Sequence, residues 1–133
     1  MKANRIFLLI FSLALIASGV THAQENEGTG IVFDTLVYDF KILKKGSDAE
    51  CSFTFTNCER KPVLITQVKA SCGCTVPQWT REPVAPGDTG VIMVKYNTRS
   101  TGSFSKSILV HTNLDRQAIV LTVKGEVRRK VGE

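Results

Sequence analysis

From position 51 the chain reads Cys-Ser-Phe-Thr-Phe-Thr, which puts Cys51, Phe53 and Phe55 on one side of an extended backbone and Ser52, Thr54 and Thr56 on the other. Successive side chains of a strand point to opposite faces, so a period of two with one aromatic face predicts a half-buried strand. The neighbouring segments follow the same logic. Ile31–Ile42 is a strand candidate anchored by Phe33, Val37 and Phe40, and Lys44–Asp48 is a turn cluster. Asn57–Pro62 turns the chain into a third strand, Val63–Lys69. Residues 70–90, with Pro77, Pro83, Pro86 and several glycines, are expected to be irregular. Pro86-Gly87 suits the centre of a type II turn. Strands are expected again at Val91–Tyr96, Phe104–Thr112 and Ala118–Val127. In the last of these, Ile119, Leu121 and Val123 alternate against Val120, Thr122 and Lys124, after a hairpin loop at 113–116.

Composition supports that reading. After residue 23 there are 13 Val and 12 Thr but only 6 Leu and 4 Ala. β-Branched side chains fit a pleated surface and lose rotamer freedom in helices. No stretch has helical periodicity. Six or seven short strands with frequent turn signals predict an all-β, immunoglobulin-like β-sandwich of about seven antiparallel strands, spanning residues 31–127.

The first 23 residues read differently. Lys2 and Arg5 precede the apolar stretch Ile6–Ala17, and Thr21-His22-Ala23 ends on a small residue, the pattern of a cleaved signal peptide. That stretch rises about 18 Å as a helix, short of the roughly 30 Å bilayer core, so no membrane span is expected after its removal. Residues 24–30 read as a flexible lead and 128–133 as a basic tail. The expected location is exported, periplasmic or extracellular. The formal net charge of +5 falls to +3 once Lys2 and Arg5 are gone, and Arg128, Arg129 and Lys130 lie in the tail. The basic balance therefore lies outside the fold and does not point to nucleic acid.

Several motifs stand in a familiar order: Tyr38-Asp39-Phe40, the Phe53–Asn57 strand, Ser71-Cys72-Gly73-Cys74-Thr75-Val76-Pro77, Val84-Ala85-Pro86-Gly87 and the closing Val120–Val127. Together they resemble an exported bacterial family, domain of unknown function 1573, which is similar to immunoglobulin-like domains of the ASPM/SPD-2/hydin and major-sperm-protein type. The resemblance covers about residues 33–127, and Ser-Cys-Gly-Cys-Thr is its most specific part. It implies a fold and an exported location, and no established activity. The family pattern centres on Cys72 and Cys74; Cys51 and Cys58 look like additions of this chain.

The four cysteines are the constellation most suited to chemistry. Cys51 and Cys58, at opposite ends of one strand, would be roughly 23 Å apart, beyond the 4.4–6.8 Å a disulfide spans. The chain runs out along 51–57 and back along 63–69, which favours a bridge from Cys51 to Cys72 or Cys74 and leaves Cys58 free. A Cys72–Cys74 link is the second possibility and suits redox traffic, with Gly73 easing the bend. The third is a soft metal such as Cu(I) held by Cys72 and Cys74. Zinc would want more ligands, and His111 is the only histidine beyond residue 23.

Catalysis is not expected, nor is a cofactor. One strand-end histidine has no nucleophile motif beside it. Asp34, Asp39, Asp48 and Glu50 show no grouping of a carboxylate pair, and Gly28-Thr29-Gly30 precedes no helix. Trp79 and Arg81 remain. Trp79 reads either as a cap on one end of the sandwich or, with Arg81, as an anchor for a partner, since both types are enriched at binding hot spots. The sequence thus points to an exported, non-catalytic binding or scaffolding module for a protein or cell-envelope component. Its special surface is expected in the 70–87 segment with Cys72, Cys74, Trp79 and Arg81. The alternative is a periplasmic thiol protein that binds Cu(I) or exchanges disulfides through Cys72 and Cys74.

Overall fold

The structure, a computed structural model, describes residues 30–114 and 117–130. The expected signal peptide, the lead up to residue 29, positions 115 and 116 of the hairpin loop and the last three residues of the tail lie outside the described residues. Eight strands run in chain order: β1 (Ile31–Phe33), β2 (Val37–Lys44), β3 (Ala49–Asn57), β4 (Ile65–Ala70), β5 (Thr75–Trp79), β6 (Thr89–Tyr96), β7 (Gly102–Thr112) and β8 (Ile119–Arg128). They form two four-stranded sheets, ordered β1-β3-β6-β5 and β2-β8-β7-β4. Every pairing is antiparallel except β2 with β8, which is parallel.

The alternation that opens β3 is what the two sheets are built around. Cys51, Phe53 and Phe55 are buried, and Phe53 and Phe55 meet Val63, Ile92, Ile108, Leu121 and Val123 in the core between the sheets. Each such aromatic contributes on the order of 1.5–3 kcal/mol by leaving water. Space for Phe55 is made at Gly90 on β6, where a Cβ would run into the ring. A second, smaller cluster of Ala49, Tyr96, Phe104 and Val127 fills one end, and Tyr96 stacks on Phe104 at 3.8 Å between centroids.

The expected strand over Ile31–Ile42 is two strands in different sheets. β1 pairs with β3, and the last bond in that sheet runs from Asp34 N–H to Thr54 O. The first in the other runs from Thr122 N–H to Leu36 O. Thr35 makes the crossing, its hydroxyl accepting from Val37 N–H and donating to Val37 O. The anchors themselves signal the break, because Phe33 and Val37 share a parity that Phe40 does not. Val37 accordingly faces solvent, 47% exposed, while Phe40 packs inward. Between Asp39 and Ile42 the β2 register shifts, with Lys41 at φ 61°. The Asp39 carboxylate accepts from Lys41 N–H, which holds this bulge and lowers the acid's pKa below its ordinary value. Gly125 leaves room for the Lys41 carbonyl and for Phe104.

The segment 70–90 is less irregular than expected, since it contains β5 and the start of β6. Pro77 does not break β5, because β5 is an edge strand. Its pairing with β6 uses Cys74 and Thr80 as bonded positions, so the alternate residue Pro77 turns its nitrogen away from the ladder. At the far end Asn57, 1% exposed, ties the turns together. Its Nδ2 donates to Lys61 O and Val84 O at 2.9 and 2.8 Å, and its Oδ1 accepts from Glu59 N–H at 2.8 Å.

Candidate functional site

The disulfide joins Cys72 to Cys74, with Cα atoms 5.4 Å apart, and Cys51 and Cys58 are free thiols. The expected bridge from Cys51 to Cys72 or Cys74 is therefore corrected. The out-and-back path does return Cys74 to the end where β3 begins, and Cys74 packs against the Ala49–Tyr96 cluster. It arrives on the wrong side of β6. Cys51 and Pro77 both pair with Val94, one from each flank. Two strand spacings, about 9.5 Å, exceed the reach of a disulfide. Cys51 faces the core, where burial pushes its thiol up to about 11. Cys58 is exposed, its sulfur 3.8 Å from Thr56 O.

The bridged turn is held at three points by main-chain bonds. Ser71 N–H donates to Ser107 O, Thr75 N–H to Cys72 O, and Asn97 N–H to Cys74 O. Cys72 Sγ lies 3.8 Å from the hydroxyl of Thr75, a residue only 4% exposed. Gly73 faces open space. Beside the turn is a cleft of about 370 Å³ lined by Gly73, Cys74, Asp48, Lys95, Asn97 and Arg99 among others. Lys95 Nζ sits between Glu50 at 3.4 Å and Asp48 at 3.9 Å. Arg99 has no carboxylate partner among the described residues. With both sulfurs in a disulfide, neither is a thiolate ligand, so Cu(I) binding here would require prior reduction. Among the described residues no group of three or more His, Cys, Asp or Glu side chains is placed to hold a metal ion. His111 lies on β7 opposite Gln67.

Trp79 and Arg81 sit elsewhere. Residues Thr75–Trp79 run along the sheet edge for about 13 Å, so β5 separates the disulfide at one end from Trp79 nearer the other. The 70–87 segment is thus two surfaces rather than one. Trp79 packs half-buried against the main core, and the Arg81 guanidinium lies 3.6 Å above its ring. The indole Nε1 is buried without a hydrogen-bond partner among the described residues. The outer face of β5 and β6 also exposes Val76 and Met93, which sequence reading passed over because β5 was hidden behind its proline. No helix among the described residues is long and apolar enough to cross a membrane.

Two four-stranded sheets packed face to face, with β1 in one and β2 in the other, define an immunoglobulin-like β-sandwich. The chain belongs to the family described as "Protein of unknown function (DUF1573)", whose sequence model matches residues 31–127. Three solved structures show the same fold at low identity. The ASH/PapD-like domain 7 of human CEP192 matches with a TM-score of 0.67 and 9% identity, over 84% of this chain and 97% of that domain. A protein of unknown function from Porphyromonas gingivalis W83 matches at 0.64 and 15%, over 72% of this chain and 46% of the other. The VesB protease of Vibrio cholerae matches at 0.58 and 13%, over 74% of this chain and 32% of the protease. The chain thus spans less than half of the Porphyromonas protein and about a third of the protease. No curated protein matches the sequence.

Proposed function

We propose that this domain is an exported, non-catalytic module that binds or scaffolds a protein or cell-envelope component, docking through Trp79 and Arg81. The observation that carries the reading is Trp79 itself, its ring face covered by the exposed Arg81 guanidinium at 3.6 Å and its in-plane indole N–H buried without a partner among the described residues. A buried donor without an acceptor costs about 1–3 kcal/mol. A partner that shifted the edge of the indole and offered a carbonyl in the ring plane would recover that cost, while the guanidinium above the ring face offers a second, charged contact. Tryptophan and arginine are the side chains that most often carry binding energy in this way. The signal-like start is what supports the export part of the reading; cleavage after Ala23 would give a mature chain beginning at Gln24, which its intact mass would report.

A photo-crosslinking residue placed at the exposed Glu82, next to Arg81 and beyond the end of β5, tests the docking surface in cells. A discrete protein adduct is expected there and not from the same residue at Ser105 on the other sheet, and Arg81→Glu should remove it. Equal adducts from both positions, or an adduct indifferent to Arg81→Glu, would refute the assignment.

A further inference from the structure

The Cys72–Cys74 bridge staples nothing. It closes a three-residue loop inside one connection, between β4 and β5, whereas a structural disulfide gains its effect by joining distant parts of the chain. Both sides of the turn are already tied by the main-chain bonds of Ser71, Thr75 and Cys74. The sandwich core is complete without either sulfur, and Cys74 only borders its smaller cluster. What the pair has instead is access, through a cleft that opens on Cys74 and Gly73.

We propose that Cys72–Cys74 is an exchanging disulfide that accepts two electrons from a dithiol partner through this cleft. The two sulfurs are not equivalent. Cys74 lines the cleft, and Arg99, without a carboxylate partner among the described residues, can draw an incoming thiolate toward it. Cys72 is turned toward the Thr75 hydroxyl, a donor placed to stabilise a departing thiolate. The partner's first thiolate attacks Cys74 Sγ, forming a mixed disulfide as the Cys72–Cys74 bond breaks. Cys72 leaves as a thiolate, hydrogen-bonded by Thr75, and is then protonated. The partner's second thiolate attacks its own first sulfur and releases Cys74, which takes a proton in turn. The partner dithiol ends as a disulfide and Cys72/Cys74 as two thiols, so two electrons and two protons have moved. Reduction would also free the thiolates that a soft metal requires. This activity is independent of the Trp79–Arg81 surface.

The test uses the exported chain carrying Cys58→Ser, which removes the exposed free thiol. Dithiothreitol reduces it under native conditions, and acid quenching, alkylation and peptide mass mapping follow each cysteine. The expected result is full reduction of Cys72 and Cys74 with the circular dichroism of the sheets unchanged and Cys51 unmodified. Thr75→Val should slow the reduction by roughly fivefold, the worth of one net hydrogen bond, and Thr75→Ser should restore it. With oxidised glutathione, Cys72→Ser should collect the mixed disulfide on Cys74 faster than Cys74→Ser collects it on Cys72. A bridge that opens only in denaturant, a fold lost on reduction, or equal trapping on the two cysteines would overturn the proposal.

Discussion

Asn57 carries more of the fold than its size suggests, and replacing it is the sharpest test of how the far end is built. Its side chain makes three hydrogen bonds of 2.8–2.9 Å, two donated to Lys61 O and Val84 O and one accepted from Glu59 N–H. Its main chain adds a bond to Asp88 O and one from Gly87 N–H. The residue therefore fastens the 57–62 turn to the Val84–Gly87 turn. Asn57→Ala removes the three side-chain bonds. At about 1 kcal/mol net each, the loss is about 3 kcal/mol, with a little more for the space left behind. The bonds to Lys61 O and from Glu59 N–H are only partly buried, and Val84 O keeps its bond from Val63 N–H, so the cost should not climb far above this. In urea, with a slope of about 1.5 kcal/mol per molar for a domain this size, the midpoint should fall by about 2 M. Asn57→Asp separates the hydrogen-bond account from one of packing alone. It keeps the acceptor for Glu59 but aims a second acceptor at two carbonyls, so at neutral pH it should be worse than Ala. Burial among acceptors raises the folded pKa of that carboxyl, so the penalty is absent below the unfolded value of about 3.9 and grows as pH rises. An Ala variant that loses under 1 kcal/mol, or an Asp variant as stable as Ala at pH 7, would refute the reasoning.

Two further outcomes follow from the core. Gly90→Ala places a methyl against the Phe55 ring and should cost about 1–3 kcal/mol, read as a melting temperature lower by roughly 4–8 °C per kcal/mol. Adding Phe55→Leu should recover part of that loss; additive effects would argue against the contact. Cys51, whose thiol stands at about 11 against an ordinary 9.0, is held neutral by burial. A raised acid stabilises the fold below its unfolded pKa, and that contribution fades as pH climbs from 9 toward 11. The natural chain should therefore lose stability relative to Cys51→Val over that range, measured by urea unfolding, and a difference flat with pH would contradict the burial argument.

Much of the sandwich was legible because its core strands alternate cleanly. β3 and β8 show their buried faces in the order of Phe53, Phe55, Leu121 and Val123, and turn residues fall between them. What escaped had physical causes. The division of Ile31–Ile42 lay in a change of parity between Val37 and Phe40, easily read as noise over so few residues. β5 was masked by Pro77, whose missing donor matters only if the nitrogen faces a neighbour. The disulfide could not be read from the order of strands along the chain. Returning to the same end of the domain does not say on which side of β6 a segment lands, and that one strand spacing decides whether Cys51 can reach Cys74.

The edges of the sheets bear on which surface does the binding. A domain like this can engage a partner by adding a strand to an exposed edge or by presenting its end loops. Here the edges are poor templates. β5 withholds a donor at Pro77, β2 is bent by the Asp39–Ile42 irregularity around Lys41, and β4 shifts register between Ile65 and Gln67. β1 has three residues, all paired with β3 of its own chain, so strand exchange between copies has little to start from. Bulges, edge prolines and very short strands are the features that keep sheets from pairing with other chains. With those routes blunted, the two proposed surfaces are side chains standing off the ends of β5, the Arg81-capped indole on one side and the Cys72–Cys74 turn with its cleft on the other. The two surfaces are set about 13 Å apart along β5 by the strand's own rise, so loss of one should leave the other intact.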